Sequence, residues 1–125
     1  VALAYLEDGW SVYARSVRRV TKEIDGDTQV TVETRQINRP LSLKDVQPTV
    51  DMITDDYLSR LAKVPYSPAG VICLDGSSLT AAVRIAADPV YAKRHSCSKP
   101  GEIDELAAEL NKILLKADPK MAEYQ

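Results

Sequence analysis

An α+β fold built on an antiparallel sheet is predicted by three features of the sequence. An Asp-Gly turn joins two β-rich runs, the apolar spacing turns helical after Pro40, and a capped amphipathic stretch lies near the C-terminus. Together they predict about five or six strands, one middle helix, and a C-terminal helix packed on the sheet or on a partner subunit. The 125 residues suit a single domain, 1–125, large enough to bury roughly two-thirds of its unfolded surface.

Residues 11–24 and 27–38 flank Asp25-Gly26-Asp27, and Gln29-Val30-Thr31-Val32-Glu33 alternates cleanly. Glycine accepts the positive φ that a tight hairpin turn demands. With a three-residue loop, Val20 would face Val32 and Arg19 would face Glu33. Pro40 ends this strand. Val50, Ile53, Tyr57, Leu61 and Val64 then follow helical spacing, with Pro48 suited to a first turn and Asp51, Asp55 and Asp56 near the start. These predict a helix over 49–63, preceded by a turn that Ser42 caps and broken by Pro65-Tyr66-Ser67-Pro68.

Residues 70–97 admit two readings. One is a strand over 70–74, a turn at Asp75-Gly76-Ser77, and a helix capped by Ser77 or Ser78. The other, which we favour, is a second hairpin, because Leu79, Ala81, Val83 and Ile85 alternate with Thr80, Ala82, Arg84 and Ala86, and Val90-Tyr91-Ala92-Lys93-Arg94 reads as a further strand. The C-terminal helix has Pro100 near its first turn, Glu102, Asp104 and Glu105 early, and Lys112 and Lys116 late, which matches the helix dipole. Its apolar stripe includes Leu106, Leu110 and Ile113, the residues we assign to an oligomer interface.

The composition, 45% hydrophobic and 27% charged with a formal charge of −2, is that of a globular protein and not of a polycation. Charge is uneven, however. Arg15, Arg18, Arg19, Lys22, Arg35 and Arg39 outnumber the acids of residues 11–39, Arg84, Lys93, Arg94 and Lys99 face only Asp88 over 84–100, and the segment 101–125 is acidic. A polyanion would therefore meet the strands, with Arg15, Arg19, Arg35, Lys93 and Arg94 as phosphate contacts and Tyr91 as a stacking residue. No apolar run approaches the length of a membrane span, and no signal peptide is apparent.

Catalytic and metal signals are sparse. Cys73 and Cys97 are too few for a zinc site unless His95 and an outside ligand contribute, so we expect no metal and no cofactor. Two buried or half-buried thiols are expected, with a Cys73–Cys97 bridge between neighbouring strands as the alternative. His95 is expected at the surface, sharing a strand face with Cys97 but pointing parallel to it, and no third group completes a nucleophilic triad. Cys73-Leu74-Asp75-Gly76-Ser77 resembles the Asp-x-Asp-Gly-Thr loop that opens haloacid-dehalogenase-type phosphotransferases. Cys73 occupies the place of the nucleophilic Asp, and the chain is too short for that family's full core, so Asp75-Gly76 reads better as a turn. No small-molecule substrate is indicated, and the protein is expected not to be an enzyme.

The hairpin over 11–38, the alternating strand over 79–87, and Ser98-Lys99-Pro100-Gly101-Glu102 leading into a helix that ends at Leu115 make a pattern that resembles the small coat proteins of single-stranded RNA phages. The helix over 49–63 has no place in that pattern, and the N-terminal hairpin region is short. The resemblance implies a sheet facing RNA, helices clasping a second copy, a homodimer or larger assembly, and a place in a virion or the cytoplasm. A self-associating structural subunit with RNA contact is thus the leading expectation. A small intracellular protein-interaction or regulatory module without nucleic-acid binding comes next, and an enzyme last.

Overall fold

The computed structural model describes residues 1–67, 70, 72–74, 76–85 and 88–125. It is α+β with antiparallel sheets, as expected, but the strands fall into a three-stranded and a two-stranded sheet where one larger sheet is predicted. The chain gathers into two compact units, Val1–Gln47 with Leu110–Gln125, and Pro48–Glu109.

The first unit contains β1 (Ala2–Leu6), β2 (Gly9–Ile24) and β3 (Asp27–Leu41), in the order β1-β2-β3. Asp25 and Gly26 both take positive φ, 53° and 82°, and close the β2–β3 hairpin as a two-residue turn. The expected three-residue loop is therefore corrected. Thr31 and not Val32 lies opposite Val20, and Arg18 and not Arg19 lies opposite Glu33, with an ion pair at 2.8 Å. The one-residue shift in register puts Val32 and Arg19, expected on opposite faces, opposite each other on the same face of the sheet.

On the inner face, Val12, Ala14 and Ile37 pack with Val46, with Ile113 and Leu114, and with Met121. The element carrying Val46 is α1 (Leu43–Met52), and Ile113 and Leu114 belong to α3 (Glu102–Ala117). Met121 sits in a 3-10 helix, Pro119–Tyr124, capped by Asp118, whose side chain accepts from the Lys120 N–H. Arg35 pairs with Asp118 at 2.6 Å, and Ser16 Oγ donates to the Tyr124 carbonyl at 2.7 Å. Toward the hairpin tip the cover ends, and residues 21–32 are exposed on both faces.

The expected helix over 49–63 is two helices, α1 and α2 (Asp55–Leu61). Thr54 is extended and its side chain accepts from the Tyr57 N–H, so it caps a new helix in the middle of the predicted one. Ser42 Oγ accepts from the Asp45 N–H, as expected of a cap, so α1 begins early and places Pro48 inside it.

In the second unit β4 (Ser78–Val83) pairs antiparallel with β5 (Val90–His95), which supports the strand reading there; Ala86 and Ala87 of the expected strand lie outside the described residues. The strand over 70–74 that belonged to the alternative reading is absent from its described residues, Val71 being outside them. Tyr57, Leu61, Ile103, Leu106, Val83 and Ala92 are buried. The Tyr57 hydroxyl donates to the Glu102 carbonyl, and burial, with the charges of Glu105 and Glu102, pushes its pKa up to about 12. Asp104 accepts from the Gly101 N–H at 2.9 Å and pairs with Arg94. Burial opposes ionisation of that carboxyl, but hydrogen bonds from Arg94 and Gly101 outweigh it and hold its pKa below the ordinary aspartate value. Among the described residues no helix is long and apolar enough to cross a membrane.

Leu114 is 2% exposed in the core of the first unit, whereas Leu110 is only half-buried. Leu114→Ala should cost about 2–5 kcal/mol, read by urea unfolding, and Leu110→Ala clearly less. Equal losses from the two would show that the stripe packs differently.

Candidate functional site

The hairpin register decides which side chains face outward from the three-stranded sheet. Odd residues of β2 and even residues of β3 form the outer face: Tyr13, Arg15, Val17 and Arg19 across from Val30, Val32, Thr34 and Gln36. Val17, Val30 and Val32 are 53%, 61% and 62% exposed. The Tyr13 hydroxyl accepts from Gln36 Nε2 at 2.9 Å. From Ser11 to Thr21 on β2 and from Thr28 to Pro40 on β3 this face carries no acid. Among the described residues, Arg15 and Arg19 form no ion pair.

The other expected phosphate contacts are placed differently. Arg35 points to the inner face and is committed to Asp118. Arg94 is on the inner side of β5, its side chain 12% exposed, bound to Asp104 and to the carbonyls of His95 and Ser98. Both cations are neutralised within their own units. Tyr91 and Lys93 are exposed on the outer side of β5, Lys93 Nζ lying 5.2 Å from the Tyr66 ring centroid. Of the expected interface residues, Leu106 and Ile113 are buried by the chain itself, which removes them from a free surface, and Leu110 is half-buried.

Among the described residues, β3 ends the three-stranded sheet and pairs only with β2, so its other edge is free. Ile24 and Asp27 flank a two-residue turn and so form a hydrogen-bonded pair. Odd residues of β3 therefore turn their backbone groups to β2, and Thr28, Val30, Val32, Thr34, Gln36 and Asn38 turn theirs to the free edge. Pro40 falls in the same outward set, where its missing N–H breaks no ladder bond. Sequence reasoning missed this edge because it follows from strand order, which residue patterns do not contain.

Sequence reasoning weighed Cys73, Cys97 and His95 together but misjudged how His95 sits in their cluster in the second unit. Cys73 and Cys97 form a disulfide with Cα atoms 6.4 Å apart, the alternative weighed against the expected thiols, although neither lies in a strand. His95 is buried, contrary to the expected surface position, because β5 ends there and the chain turns back. Its Nδ1 lies 3.1 Å from Cys97 Sγ and accepts from the Cys97 N–H at 3.3 Å, so the two side chains converge where parallel directions are expected. The available signal was His95-x-Cys97 with a second cysteine upstream. Asp75, the acid of the phosphotransferase-like loop, lies outside the described residues. Beside the cluster a cleft of about 610 Å³ is lined by Arg60, Lys63, Cys97, Lys99 and Glu102 among others.

Comparison with protein-family models, with curated proteins and with solved structures finds no match to this chain.

Proposed function

We propose that the protein is a non-catalytic structural subunit that joins a second copy through the free edge of β3 and turns the outer face of the joined sheet toward RNA. The carrying observation is the β3 edge itself, a 15-residue strand with a run of outward-facing backbone groups uninterrupted by proline from Thr28 to Asn38. Such an edge is a template for another strand. Charge on the strand supports a second copy as the occupant. An antiparallel self-pair centred on Thr34 keeps inner face with inner face, because it sets residues of equal parity opposite each other. It also places Glu33 of each copy against Arg35 of the other, twice over, with a two-fold axis between them. Glu33 and Arg35 already bind Arg18 and Asp118 within the chain, so this register supports the copy by setting no like charges opposite each other at the seam.

Joining two edges doubles the outer face, so Arg15 and Arg19 of both copies point the same way across the stretch from Ser11 to Thr21 and from Thr28 to Pro40, which carries no acid, with Tyr13 beside them. This arrangement suits phosphate neutralisation with aromatic contact. It agrees with the likeness to single-stranded RNA phage coat proteins in a sheet that meets RNA. It differs in moving the partner contact from the C-terminal helix to the strand edge, since Ile113 belongs to the chain's own core.

Thr34→Pro removes one outward N–H and leaves the β2–β3 ladder intact. Light scattering after size exclusion should give a dimer or larger species for the wild type and a monomer for the variant, with the same far-ultraviolet dichroism. A wild type that stays monomeric at high micromolar concentration would overturn the assembly and favour a module that captures other chains' strands.

For RNA, Arg15→Glu with Arg19→Glu should weaken binding and flatten its log–log salt dependence by about 0.7 for each phosphate that is no longer neutralised. Equal binding by wild type and variant at about 50 mM salt, a condition where phosphate neutralisation dominates, would remove RNA from the function.

A further inference from the structure

Cys73, His95 and Cys97 hold their ligand atoms, two sulfurs and one imidazole nitrogen, within 4.8 Å of one another. We infer that in its reduced form the protein binds a thiophilic divalent cation of the zinc class through Cys73 Sγ, Cys97 Sγ and His95 Nδ1, and that the disulfide is the oxidised form of the same site.

Three features of the second unit build this site. The first is the direction of the imidazole. Nδ1 lies 3.1 Å from Cys97 Sγ and accepts from the Cys97 N–H, so it is the ring nitrogen turned toward the sulfurs, and a bound cation would take the lone pair that this hydrogen bond uses. The second is rigidity. The His95 N–H donates to the Tyr66 carbonyl at 2.7 Å, Ser98 Oγ donates to the same carbonyl at 3.1 Å, and the Tyr66 ring stands edge-on to the imidazole with centroids 5.8 Å apart. The third is the close approach of the Cys73 segment. Gly76 takes φ +130°, and a Cβ there would collide with Ser96 Oγ and lie 3.0 Å from His95 Cε1, so glycine at this position allows the close approach to the ring.

Two thiolates and one neutral imidazole match a divalent cation in charge, and they fill three of four tetrahedral positions. The fourth stays open to water or an outside ligand. His95 is buried, but Cys97 is exposed and lines the cleft, which provides an entry path for ion and reductant. Interconversion balances with a small thiol as co-reactant. Two equivalents reduce the Cys73–Cys97 bond to two protein thiols and leave as their own disulfide. Cation binding then releases the two thiol protons to solvent.

The probe is Co²⁺ added anaerobically to wild-type protein reduced with a phosphine. The expected result is one equivalent bound, with thiolate-to-cobalt charge-transfer bands and the visible bands of tetrahedral cobalt, both bleached by Zn²⁺ and both absent when the oxidised protein is titrated. His95→Ala should lower Co²⁺ affinity at least tenfold. Because His95 is buried and its replacement can unfold the unit, X-ray absorption of the zinc-loaded wild type gives an independent reading. Two sulfurs at about 2.3 Å and one imidazole nitrogen at about 2.0–2.1 Å are expected. Absence of charge-transfer bands in the reduced wild type, or a shell without an imidazole nitrogen, would overturn the inference.

Discussion

The two-residue turn at Asp25-Gly26 governs the first unit. Because strand side chains alternate with a period of two, closing the hairpin with one residue fewer than the pattern suggested changes every cross-strand partner. It sets Arg18 opposite Glu33 on the inner face, where Arg18 also stacks over the Tyr124 ring at 4.5 Å and holds the C-terminal segment. It sets Arg35 over Asp118, so the cap of the 3-10 helix doubles as the counter-ion of a strand. The same register leaves Arg15 and Arg19 outward with the valines. Glycine matters here because its φ of 82° is costly for any residue with a Cβ, while Asp25 is of a type that tolerates the left-handed region.

Ion pairs in the second unit work as internal fasteners. Arg94 reaches from β5 to the first turn of α3, where Asp104 also accepts from the Gly101 N–H, so one carboxylate both caps the helix and ties it to the strand. Arg60 links Asp56, one turn earlier in α2, to Glu102 at the start of α3. Exposed pairs of this kind contribute little each; the buried Tyr57 and Leu61 beneath them carry the packing. Basic residues that look available to a polyanion in the sequence are thus partly occupied within the fold.

The legible part of the fold was what short-range pattern encodes. The hairpin, the β4 and β5 strands and the amphipathic α3 each announce themselves through period, turn chemistry or capping. Thr54 was missed because its neighbours Val50, Ile53 and Tyr57 keep helical spacing across the break, and a cap inside a periodic run is outvoted by the period. Of the candidate phosphate contacts, Arg15 and Arg19 lie outward and Arg35 and Arg94 do not, because facing depends on a register one residue finer than composition resolves. The Cys73–His95–Cys97 cluster depends on a contact between segments more than twenty residues apart, and the free edge of β3 on strand order. Neither is a local property of the chain.

The function proposed above stands on that edge, and backbone amides report on it directly. Hydrogen exchange resolved by residue along β3 separates the two sets of N–H groups, those bonded to β2 and those facing out. At high protein concentration the amides of Val30, Val32, Thr34, Gln36 and Asn38 should exchange as slowly as their odd-numbered neighbours, and on dilution they alone should become fast. Fast exchange of this even-numbered set at every concentration, with the odd-numbered set slow throughout, would mean that no second strand lies on β3.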